Sequence, residues 1–147
     1  MSDEERRVEN PDDRLYSTQH QWVKHHVDDV YTIGLSWYAH EGLVGPELVE
    51  LPDVGEHLEA GEMYGIVECL VGALRELFAP FDGEVVEVNQ EIVDDPELIY
   101  VYDDPYEEYW LIRIRPDEPV EGAGLLDAAR YTEMTPYAKE WGFGGLE

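Results

Sequence analysis

Cys69 is the only thiol of the chain, and it follows Glu68 in the segment running from Gly65 to Pro80. A thiol acts as nucleophile or metal ligand only as thiolate, and no Lys, Arg or His adjoins Cys69 in sequence to favour that form. Arg75 is the one cation able to face it, if the segment folds back as a hairpin. Without that help Cys69 reads as a small, half-buried side chain. The five histidines are His20, His25, His26, His40 and His57. His25 and His26 are adjacent, so on a strand they point to opposite faces and cannot easily share one ion. His20 or His25 with nearby carboxylates is the remaining metal combination, and no spacing supports it; no metal is expected. The pairs Asp94-Asp95, Asp103-Asp104 and Glu107-Glu108 have the character of turn and surface residues rather than of a shielded acid–base pair. Phosphate-cradling glycine loops, nucleophile elbows, CxxC and HExxH are all missing. No residue qualifies as catalytic, and the chain reads as a non-enzyme.

Binding chemistry is better represented. Tyr100, Tyr102, Tyr106 and Tyr109 lie with Trp110 among four acids between positions 100 and 110. Tyrosine and tryptophan bury large areas at low entropic cost, which suits an interface. The same residues also suit a core, with Trp110 and one or two tyrosines inside and the others covering them. Both readings stand on sequence.

Charge limits the partners. The chain of 147 residues carries 35 acidic and 9 basic residues, a formal net charge of −26. Phosphate neutralisation drives nucleic-acid binding, so nucleic acid is a poor partner, and an anionic membrane is equally disfavoured. The acids are spread along the chain, as expected for a surface solvated in a high-salt cytoplasm; a basic partner is the other explanation. No apolar run approaches the ~20 residues of a membrane span, and the polar start lacks a signal-peptide core, so a cytoplasmic location is expected. The length suits one domain.

Elements that could position these residues follow from short apolar runs punctuated by Gly, Pro and Asp. Trp22-Val23-Lys24 and Val30 to Leu35 read as strands joined at Asp28-Asp29, and Trp37 to Leu43 as a short helix ending near Gly42 or Gly45. Leu48 to Leu51, Met63 to Glu68, Leu74 to Phe78, Gly83 to Val88 and Tyr109 to Arg115 continue the strands at roughly ten-residue intervals, the rhythm of an antiparallel sandwich or barrel. Leu125 to Tyr131 reads as helical, with a second turn from Tyr137 to Trp141. The resulting division is a flexible segment 1–14, a domain 15–132 and a C-terminal helical turn and tail 133–147.

Several motifs, in order, carry a family likeness. His20-Gln21-Trp22-Val23, Glu50-Leu51-Pro52-Asp53-Val54-Gly55, Ala60-Gly61-Glu62, Gly65-Ile66-Val67-Glu68, Leu77-Phe78-Ala79-Pro80, Gly83 to Asn89, Pro96-Glu97-Leu98-Ile99, Asp104-Pro105-Tyr106 and Trp110-Leu111-Ile112 together resemble the glycine cleavage system H protein. The likeness covers about residues 15–132. It implies a mainly β barrel-sandwich hybrid of the lipoyl/biotinyl type, built of antiparallel strands with small helices near the N-terminal third and at the C-terminus. In that family a hairpin presents a lipoyl-lysine, which carries an aminomethyl group between the glycine-cleavage enzymes.

Here the hairpin departs from the family. Glu68 stands in the family's glutamate place and Cys69 in its serine place, but the lysine position holds Val71, or Gly72 if the gap is placed the other way. The chain has two lysines, Lys24 and Lys139, both far from this tip in sequence. The hairpin is one residue longer than the family's, Tyr100 replaces its asparagine, and Tyr109 replaces its glycine. The resemblance therefore implies a divergent, non-lipoylated member that needs no cofactor. Such a protein binds other proteins, lipoyl or glycine-cleavage enzymes among them, through Leu70, Leu74 and the tyrosine-rich edge. The alternative is a working lipoyl carrier with atypical attachment.

Overall fold

The computed structural model describes residues 9–135 as two antiparallel sheets facing each other across one core. The larger sheet is built from β1 (Leu15–Tyr16), β2 (Gln21–Val27), β3 (Val30–Leu35), β5 (His57–Leu58), β8 (Gly83–Val88) and β9 (Ile112–Pro116), in the order β1-β2-β3-β9-β8-β5. The smaller contains β4 (Pro46–Glu50), β6 (Met63–Cys69) and β7 (Leu74–Phe78), with β6 in the middle. This is the mainly β sandwich architecture expected.

Period-two alternation decides which side chains meet. Val23, Ile33, Leu35, Val85, Ile112 and Ile114 from the large sheet pack with Val49, Val67, Leu77 and their neighbours from the small one. Burying such side chains contributes roughly 1.5–3 kcal/mol each. A polar link also crosses the core. Gln21, 1% exposed, donates from Nε2 to the Phe78 carbonyl at 2.6 Å and accepts from the Tyr64 hydroxyl. A smaller aromatic cluster packs Tyr16, Trp22 and Tyr106 against Tyr131 of α4 (Ala128–Met134). There the Trp22 ring lies directly on Gly34, where an added Cβ would stand 2.3 Å from it.

Four α-helices complete the fold among the described residues. α1 (Trp37–Glu41) is capped by Ser36 and ends at Gly42, as the sequence suggested. α4 begins later than expected, at Ala128 with Asp127 as its cap, because Leu126 is instead bridged to Tyr16 by two backbone hydrogen bonds of 2.8 Å. α2 (Gln90–Asp94) and α3 (Glu97–Val101) were not expected. Their five-residue length gives no periodicity to read, and Asp94, Asp95 and Pro96 resemble a turn.

The boundary at residue 14 needs correction. Arg14 is 4% exposed, donates to the Tyr106 carbonyl at 3.1 Å, pairs with Asp13 and Glu107, and stacks over the Trp22 and Tyr106 rings. Asn10 bonds Thr132 in α4 at 2.9 Å. Residues 10–14 are thus held to the domain by a buried cation that composition alone did not reveal. The turn expected from Tyr137 to Trp141 lies outside the described residues.

Candidate functional site

The hairpin of β6 and β7 is where the sequence placed its chemistry. Glu68 pairs with Leu74, Val67 with Arg75 and Ile66 with Glu76, so alternate residues point inward. The turn is a single 3-10 segment, Leu70–Gly72, in which Gly72 takes a left-handed φ of 83°. Its closing hydrogen bond runs from the Cys69 amide to the Ala73 carbonyl at 2.8 Å. A second bond of 2.8 Å, from the Leu70 amide to the Gly45 carbonyl, ties the turn to the loop before β4. Leu70 also covers Gly45, whose φ is 65° and whose added Cβ would meet Leu70 Cδ1 at 2.6 Å.

Cys69 lies on the inner face and is 2% exposed, which removes the access a nucleophile needs. It fills core volume.

Arg75 shares that inner face, two residues along the opposite strand, and is half-buried. Its Nε is buried without a hydrogen-bond partner, and among the described residues it has no ion pair. Its charge acts on His20, Tyr109 and Tyr131, which belong to two hydrogen-bonded pairs of neutral side chains. His20 Nδ1 lies 2.7 Å from the Tyr131 hydroxyl, itself 2.7 Å from Ser36 Oγ, and His40 Nδ1 lies 2.9 Å from the Tyr109 hydroxyl. Burial first, and the Arg75 charge second, push His20 down to about 4; burial lowers His40 against the pull of Asp103, Asp104 and Glu108. Burial likewise raises the Tyr109 and Tyr131 hydroxyls. Arg75 thus sits beside groups held in their neutral forms, His20, Tyr109 and Tyr131.

The tyrosine-rich segment divides between core and surface. Tyr106 and Tyr109 are 4% and 3% exposed and correct the expectation of an interface role. The Tyr106 hydroxyl is engaged by Trp37 N and Asn10, and that of Tyr109 by His40. Tyr102 is half-buried, stacked on Tyr109. Tyr100 is 73% exposed on α3, which packs beside β4. The other predicted contact residues, Leu70 and Leu74, are 49% and 52% exposed. Sequence reasoning missed the neighbours of these leucines: Leu48, Glu50, Ile66 and Glu76 share the outer face of the small sheet. Strict alternation around Val49 and Val67 carried that signal.

Among the described residues no group of His, Cys, Asp or Glu is arranged to hold a metal ion. His25 and His26 are exposed, and His57 bonds Asp117 at 2.7 Å, which raises its pKa. No helix among the described residues is long and apolar enough to cross a membrane. A lipoyl amide does not fit this hairpin. Of the two lysines, Lys24 is on β2 in the other sheet, 3.3 Å from Asp13, and Lys139 lies outside the described residues.

A family model described as Glycine cleavage H-protein matches residues 14–138. The glycine cleavage system H protein of Alteromonas mediterranea is 44% identical over 122 residues, 82% of this chain and 92% of the relative. That of Halalkalibacterium halodurans is 43% identical over 124 residues, 84% of this chain and 94% of the relative. A crystal structure of a glycine cleavage system H protein from Mycobacterium marinum superposes with a TM-score of 0.72 at 36% identity, covering 84% of this chain and 97% of that one.

Proposed function

Because the chain belongs to the glycine cleavage H-protein family, whose members carry a group rather than catalyse, we propose that it is a non-lipoylated member acting as a protein-binding module. The observation that carries this reading is the hairpin tip. Lipoate is joined through an amide, which only a primary amine can supply, and neither Val71 nor Gly72 has one. The sheets that display the tip are retained, as the similarity over more than four-fifths of the chain indicates. A protein of this kind occupies the docking surfaces of glycine-cleavage or lipoyl enzymes from the cytoplasm and transfers nothing.

Two measurements test it. Intact mass of protein purified from its source should show no lipoyl adduct, and added unmodified chain should competitively inhibit glycine cleavage reconstituted with a lipoylated H protein. An adduct on Lys24 or Lys139 would sink the proposal and restore the carrier reading, which 41–44% identity to H proteins favours. The variant Val71→Lys should remain a slow substrate for a lipoyl ligase. Its hairpin has one more residue than the family's, which shifts the tip relative to the strands. Rapid, complete modification would refute that expectation.

A further inference from the structure

The outer face of the small sheet is a checkerboard. One cross-strand row reads Leu48, Glu68, Leu74 and the next Glu50, Ile66, Glu76, from β4 through β6 to β7. Leu48 is 39% and Leu74 52% exposed, and Glu50 and Glu76 are exposed as well. None of the three glutamates has a hydrogen-bond or ion-pair partner among the described residues. The contrast with the other sheet is sharp. Arg113 pairs with Glu87, Arg115 with Asp29 and Glu84, and Lys24 and Arg14 with Asp13, so every Lys or Arg ion pair of the described residues is on or beside the six-stranded sheet. The small sheet's single cation, Arg75, is turned inward. Its outer face thus joins exposed leucines to uncompensated carboxylates, and it opens at one end onto a hollow of ≈ 320 Å³ bounded by Leu51 and Met63.

Resting on the reading of the chain as a binding module, we propose that this face docks a partner segment in which lysine or arginine alternates with aliphatic residues. Apolar contacts cover the leucines while each cation reaches a glutamate between them, the complementarity that fixes register and speeds encounter. A second copy of this chain presenting the same face is excluded as occupant, since it would set Glu68 and Glu76 against like charges. An anionic lipid surface or nucleic acid is excluded by the same sign.

The test uses the full-length 15N-labelled protein and a soluble peptide alternating lysine with leucine and threonine, with a glutamate-for-lysine peptide as control. Amide shifts should concentrate on β4, β6 and β7. The double variant Leu48→Ser/Leu74→Ser should weaken binding about tenfold, as loss of central apolar contacts does. Glu68→Gln/Glu76→Gln should weaken it to a similar degree, and its effect should shrink in high salt. Glu84→Gln/Glu87→Gln, on the other sheet, should change little. Shifts spread over both sheets, equal binding of the acidic peptide, or unchanged affinity in both small-sheet variants would overturn the proposal. Because the peptide assay involves no lipoyl chemistry, its failure and the discovery of an adduct are separate outcomes.

Discussion

Arg75→Met should stabilise the protein, although it deletes a charge that opposes the chain's net −26. The wild-type residue leaves a buried Nε without a partner, which costs about 1–3 kcal/mol relative to a satisfied or apolar group. Set against that is its position near the end of α1, where Nη2 would lie 3.7 Å from a Cβ on Gly42. A cation near a helix C-terminus contributes about 0.3–1 kcal/mol. Methionine keeps the stem's packing volume. The balance is a gain of about 1 kcal/mol, or a Tm rise of about 3–5 °C for a domain of this length. Scanning calorimetry in about 0.5 M sodium chloride measures it with the long-range charge difference screened. The same variant should raise the pKa of His20 from about 4, and only part of the way to its ordinary value, because burial is the larger cause. Proton NMR of the imidazole reads that shift. A Tm lower by several degrees with an unmoved His20 would mean that Arg75 is compensated, and the reasoning would fail.

Other outcomes follow from the same structure. Tm should rise between low and about molar sodium chloride, because screening relieves the repulsion among unpaired carboxylates; a flat curve would refute this. Gly34→Ala should destabilise by at least about 2 kcal/mol in urea titration, since its methyl would stand 2.3 Å from the Trp22 ring. His20 is neutral in the fold down to about 4 but protonates near 6.5 when unfolded, so its contribution is present above about pH 6.5 and is lost as pH falls toward 4. The stability difference between wild type and His20→Asn should therefore shrink through that window. A difference independent of pH would count against a buried neutral imidazole.

Much of the architecture was legible because alternation and turn residues specify strands locally. Met63 to Glu68 and Leu74 to Phe78 read as strands from apolar runs alone, the family resemblance implied that they form a hairpin, and the structure extends β6 by a single residue, to Cys69. The two-residue strands β1 and β5 and the five-residue helices α2 and α3 escaped, since nothing so short has a period. Tyr106 and Tyr109 were unreadable for another reason. Whether a tyrosine in an acidic run turns inward depends on a distant acceptor or donor, here Trp37 N, Asn10 and His40. The inward direction of Arg75 was accessible from the alternation, with Leu74 and Glu76 on either side. Its lack of a carboxylate was not, because in a chain this acidic any cation would be expected to find one.

The clasp between Leu70 and Gly45 bears on how such a protein can vary through descent. A side chain at position 45 would both strain a left-handed backbone and displace Leu70, while a smaller residue at 70 would uncover the glycine and loosen the loop before β4. Neither position can change alone without loss, so the two should be inherited as a pair. Among diverged copies of this chain, the joint identity of residues 45 and 70 would mark the lineages that keep the tip strapped down, and a simultaneous exchange at both would mark those that have released it.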